Sequence, residues 1–115
     1  MPAGREKRRD QRVPTDVRLR SSAPSEIAEM EAVNLSLGGV SCYSLRRIEP
    51  MTRLHVVLDL PGELGKVDAL AAEAVVVRLE EDETGGPPYR LALWFQNMGS
   101  PHRTRLRRFL GLDGN

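Results

Sequence analysis

The feature that most constrains this chain is a two-residue alternation of apolar and polar side chains, repeated in short blocks separated by turn residues. Leu54, Val56, Leu58 and Leu60 alternate with His55, Val57 and Asp59, and the block closes at Pro61-Gly62. Tyr89, Leu91, Leu93 and Phe95 alternate in the same way with Arg90, Ala92, Trp94 and Gln96. Period two is the signature of a strand with one buried face. Shorter blocks follow the rule: Val17 and Leu19 against Asp16, Arg18 and Arg20, then Ala28, Met30 and Ala32 against Glu29 and Glu31 within residues 26–33. Val40 to Leu45 reads as a further strand. Residues 68–79 contain Val75-Val76-Val77, a β-branched run that favours strand over helix. Turn chemistry separates the blocks at Ala23-Pro24-Ser25, at Asn34 to Gly39 and along the charged stretch Glu80 to Pro88. Six strands at this spacing predict a mainly β fold, a small six-stranded antiparallel barrel whose closure leaves no exposed edge.

The pattern changes at Ser100-Pro101. Ser100 suits an N-cap and Pro101 the first helical position, where a missing N–H costs nothing. Leu106, Phe109 and Leu110 then recur at helical spacing, and Gly111 suits the stop. A C-terminal α-helix is therefore expected to cover one barrel opening. At 115 residues, with no internal repeat, one domain is expected. Its parts are a flexible basic arm over residues 1–13, the barrel and helix over 14–111, and a tail over 112–115.

Charge is distributed unevenly. Residues 1–20 carry seven Lys/Arg against three acids, residues 21–98 six against twelve, and residues 99–115 four against one. An acidic body with 4% aromatic residues argues against a DNA or RNA partner, which would need a broad basic face or stacking platforms. Basic ends suit a small anion or contact with the acidic body. The single cysteine, Cys42, excludes an internal disulfide and a Cys-rich zinc site, and its placement among alternating apolar residues reads as a buried thiol. No apolar run approaches the roughly 20 residues of a membrane span, and MPAGREKRRDQR has no apolar stretch after it. A cytoplasmic protein with no membrane insertion is the expectation. Nor does a catalytic constellation emerge. His55 falls in a strand and His102 at a helix start, neither beside the other or Cys42, and no phosphate-loop pattern follows a strand. No enzyme activity, metal or cofactor is expected.

Two motifs remain. Arg8 and Arg12 form Arg-x-x-x-Arg within Lys7-Arg8-Arg9-Asp10-Gln11-Arg12, and Asn34-x-Ser36-x-x-Gly39 lies between the second and third predicted strands. Alone, the first would be a solvated tail and the second a turn. In this order, ahead of six strands and a terminal helix, they resemble the PilZ domain family, bacterial receptors for cyclic di-GMP. The resemblance extends through Val13-Pro14, Asn34-Leu35-Ser36-Leu37-Gly38-Gly39-Val40 and Tyr89-Arg90-Leu91-Ala92-Leu93-Trp94-Phe95 to the helix at 103–110. It implies a PilZ-type barrel on whose surface cyclic di-GMP lies under the arm.

By motif match, Arg8 and Arg12, supported by Arg9, would bind the ligand from the arm; Asn34, Ser36, Gly38 and Gly39 would meet it from the turn. Arginine fits the task because its planar fork pairs bidentately with guanine O6 and N7 or with phosphate, and also stacks on a base. Asn34 and Ser36 offer donors and acceptors that either touch a guanine edge or hold the turn. Asn34 occupies a position where the family has Asp or Asn. The family resemblance also implies an aromatic residue near Val76, where this sequence has none; Tyr43 or an arginine plane could replace it, and Tyr43 otherwise reads as a barrel-surface or core aromatic. The implied output is arm ordering on ligand binding and signalling to an unknown downstream protein partner. The alternative is a PilZ-like adaptor that acts through protein contacts without nucleotide.

Overall fold

The computed structural model describes residues 12–15, 17–23 and 26–112. The strands are β1 (Val13–Pro14), β2 (Arg18–Ala23), β3 (Glu26–Leu35), β4 (Gly39–Ser44), β5 (Arg53–Pro61), β6 (Val67–Glu80) and β7 (Tyr89–Asn97), followed by helix α1 (Ser100–Phe109). Every pairing is antiparallel. The order β3-β2-β5-β6-β7-β4 closes through a β3–β4 pairing, giving a six-stranded barrel. The short β1 is additional. It pairs Val13 with Leu35 and Pro14 with Asn34, so the chain entering the barrel is bound beside the β3–β4 turn.

The alternating apolar residues fill the barrel. Leu19, Met30, Val40, Cys42, Val56, Leu58, Leu60, Leu91 and Leu93 are all buried in one cluster. Cys42 is inert there: burial pushes its thiol up to about 12, and its Sγ lies 3.7 Å from Met30 Sδ. Strand β4 stops at Ser44, one residue earlier than expected. The Ser44 hydroxyl accepts from the Arg46 N–H at 3.0 Å and donates to the Arg46 carbonyl at 2.8 Å, turning the chain and leaving Leu45 exposed.

Three register shifts interrupt the pairing, at Ala32/Asn34 in β3 and at Glu73/Ala74 and Val76/Arg78 along β6 and β7, and two of them re-aim side chains. In β3 the inward residues Met30 and Ala32 are followed by a register shift between Ala32 and Asn34, after which Leu35 points inward. Uninterrupted alternation would place Asn34 in the core; the extra residue, Val33, moves it to the outer face. In β6 the shift between Val76 and Arg78 does the same. Val76 is buried, Leu79 packs against the core, and Arg78 faces out.

Helix α1 closes the end of the barrel where β7 finishes. Leu106 and Leu110 are buried there, with Phe109 and Leu112 packed against the core. The expected N-cap shifts by one residue. Gly99, not Ser100, caps the helix, its carbonyl accepting from the Arg103 N–H at 2.9 Å, and Pro101 sits in the first turn. At the other end Gly111 adopts φ 76°, the Gly111 N–H bonds the Arg108 carbonyl and the Leu112 N–H bonds the Arg107 carbonyl. This is a Schellman stop, which needs a left-handed residue and uses glycine for it. Arg105 ties the helix to the barrel through Asp68 at 2.7 Å and the Pro61 carbonyl at 2.7 Å. His102 is half-buried, its Nδ1 3.4 Å from the Ala71 N–H.

Candidate functional site

The β3–β4 turn is built around Ser36, which is fully buried. The Ser36 hydroxyl accepts from the Gly38 N–H at 3.2 Å and the Gly39 N–H at 3.2 Å, and donates to the Gly39 carbonyl at 3.3 Å. Of the two roles open to Ser36 in the sequence, the structure displays the turn-holding one. The Gly38 carbonyl then accepts from the Phe95 N–H at 2.9 Å, which docks the turn on β7. Gly39 lies against the same strand: a Cβ there would come within 2.2 Å of the Leu93 carbonyl oxygen. A real Cβ does not tolerate such a contact, so glycine is required by close backbone approach.

Asn34, turned outward by the bulge, meets the arm. Arg12 Nη1 donates to Asn34 Oδ1 at 2.8 Å. The last residue of the first motif and the first residue of the second are thus in direct contact across the β1–β3 pairing. Because Asn34 is neutral, this bond positions the guanidinium without cancelling its charge. Arg8 and Arg9 lie outside the described residues.

Sequence reasoning missed Trp94. It pairs in register with Gly39 on one side and Val75 on the other, and it is 59% exposed. The signal was present: in the alternation of β7 a tryptophan falls on the polar face, opposite Leu91 and Leu93. An aromatic surface therefore stands on the outer face one strand away from the Val75-Val76-Val77 run. Tyr43 is a surface aromatic, with the Arg90 guanidinium carbon 5.7 Å from its ring centroid.

The barrel has a larger hollow, of about 600 Å³, farther round the outer face over β2, β3 and β4. Its arginines are opposed by carboxylates: Arg18 and Arg20 share it with Glu29, Glu31 and Asp59, and Arg20 pairs with Asp59 at 3.0 Å. That charge balance makes it a poor anion site. Among the described residues no group of three His, Cys, Asp or Glu side chains is placed to hold a metal, and no helix is long and apolar enough to cross a membrane.

A closed antiparallel barrel with one helical lid, and with Arg12 and Asn34 in contact on its outer wall, defines a small barrel module. A family model described as the PilZ domain matches residues 6–112, and the chain belongs to that family. Solved structures that share the fold include two of known source. The Bacillus subtilis inhibitor of motility MotI/DgrA aligns with TM-score 0.72 and 20% identity over 87% of this chain. This chain spans half the length of that protein. The PilZ domain of Escherichia coli YcgR, determined with c-di-GMP, aligns with TM-score 0.64 and 16% identity over 87% of this chain and 86% of its own. No curated sequence matches significantly.

Proposed function

We propose that this protein is a cyclic di-GMP receptor whose basic arm closes over the nucleotide and so presents a new surface to a partner protein. Membership of the PilZ family and the c-di-GMP carried by the YcgR domain support the ligand class. The observation that carries the reading is the 2.8 Å contact between Arg12 and Asn34, which brings the two motifs to one point on the outer wall. Arg8, Arg9 and Arg12 supply positive forks for the guanine edges and phosphates of the dianion. Asn34 anchors Arg12, Ser36 holds the turn, the exposed Gly38 keeps a side chain out of the ligand's path, and Gly39 lets the turn lie against β7. Trp94, in register with Val75, offers on the outer face the stacking surface that the core-facing Val76 does not.

Trp94 is the only tryptophan in the chain, so intrinsic fluorescence reports on this face directly. Guanine stacking predicts saturable quenching by cyclic di-GMP and none by ATP at equal concentration. Unchanged emission through a full titration would count against the proposed binding face.

A further inference from the structure

The outer face beyond Asn34 has its own arrangement, set by strand register. Asn34 on β3 pairs with Ser41 on β4, Ser41 with Ala92 on β7, and Ala92 with Arg78 on β6. This row crosses four strands, a width of about 14 Å at the usual inter-strand spacing. Its middle members, Ser41 and Ala92, are small. Trp94 borders this floor one row toward the turn; Arg90 and Tyr43 border it one row the other way. The floor holds a depression of about 250 Å³ lined by Ser41, Arg78, Glu80, Arg90, Leu91 and Ala92.

The two arginines are held differently. Arg90 is half-buried and fixed, its Nε donating to Ser41 Oγ at 3.2 Å while its cation lies over Tyr43. A guanidinium has five N–H donors, so donors remain beyond the one given to Ser41. Arg78 is 70% exposed and pairs with Glu80 at 3.5 Å. A solvent-exposed pair of that length is easily given up for a better anion.

We propose that Arg78 and Arg90, with Ser41 beneath them, form a strand-built phosphodiester subsite facing Arg12 across the floor. This rests on the cyclic di-GMP reading. A cyclic dinucleotide carries its two phosphodiesters on opposite sides of one ring. A ligand lying on Ser41 and Ala92 presents one phosphate toward Arg12 and the other toward Arg78 and Arg90. Its base reaches Trp94 one row away, a step of about 7 Å along the strand. Arg12 supplies one cationic wall, and Arg78 and Arg90 the other.

The test is calorimetric titration of cyclic di-GMP into the wild type, R8A/R12A, R78Q, and R78Q/R90Q, each checked for an unchanged melting transition. We expect R78Q to weaken binding roughly fivefold and the double variant more than tenfold, as loss of charge-assisted bonds predicts. R78Q keeps the test decisive if replacing Arg90 unsettles the fold, because Arg78 is exposed and its ion-pair partner among the described residues is an exposed glutamate. In ³¹P spectra the bound ligand should give two resonances, one of which moves in R78Q while the other stays. Wild-type affinity in both glutamine variants, alongside loss in R8A/R12A, overturns the subsite and leaves the receptor intact. Absence of binding by the wild type overturns the receptor reading and the subsite with it.

Discussion

Single residues in this molecule are constrained most where backbone meets backbone. Gly39 is the sharpest case, because a methyl group there meets the Leu93 carbonyl at 2.2 Å. Gly39→Ala is expected to destabilise the fold by about 1–3 kcal/mol, the usual cost of forced overpacking, and thermal melting measures it. Cys42 makes a prediction of the opposite kind. Its thiol is raised from 9.0 to about 12 by burial, so the folded protein keeps the proton while the unfolded chain gives it up. The resulting contribution to stability is complete below pH 9 and is lost as pH rises from there toward 12. Wild type should therefore lose stability in alkali faster than Cys42→Ala, and a thiol reagent should leave the native protein unmodified at neutral pH. The sequence made the buried thiol legible, because Cys42 alternates with Val40 and Ser44 on one face. It also supplied Asn34, Gly38 and Gly39 as candidates through their spacing. What it hid was the division of labour: Ser36 is sealed inside the turn, a fact of hydrogen bonding that spacing alone does not carry.

Elements show where periodicity misleads. Alternation correctly placed all six barrel strands and the terminal helix, because each buries one face and burial enforces the period. Carried one step past Ala32, the same period would turn Asn34 inward beside Met30 and Ala32, although residues 34–39 read as a turn in the sequence. The Val33 bulge reverses this, and a bulge adds one residue without altering composition, so nothing in the local sequence announces it. Asn34→Ala removes the acceptor that the bulge turns toward Arg12 and so separates the turn from the arginine. The expected outcome is a barrel that retains its circular-dichroism signature and loses cyclic di-GMP binding. The missing aromatic has a similar explanation. Sequence comparison looks along one strand, whereas Trp94 reaches the same face from the neighbouring strand, a relation that only register reveals. Helix α1 is a lid in this structure, with Leu106 fully buried beneath it. Leu106→Ala should cost about 2–5 kcal/mol, read as a lower denaturation midpoint.

The whole molecule is electrically polar. Arg12, the β3–β4 turn and α1 gather at one end of the barrel, and the helix carries Arg103, Arg105, Arg107 and Arg108 with no acid in its first turn. The β6–β7 loop with Glu81, Asp82 and Glu83 lies at the other end. Net charge of +1 conceals this separation, although the charge of each segment was readable in the sequence. Which end each segment occupies follows from topology: β3, β5 and β7 all finish at the helix end. A dianion approaching such a field is drawn to the arm, and salt weakens the attraction. Binding of cyclic di-GMP should therefore slow and weaken as ionic strength rises, whereas replacing the acidic loop residues by glutamine should leave the ligand's dissociation rate unchanged. The central claim is that arm and turn together hold cyclic di-GMP, and isothermal titration calorimetry on wild type and Arg8→Ala/Arg12→Ala tests it most directly, with GTP and cyclic GMP as controls. The account predicts saturable binding at micromolar concentration or below, abolished in the double variant and absent for both controls. No heat with the wild type, or equal binding by the double variant, would contradict it.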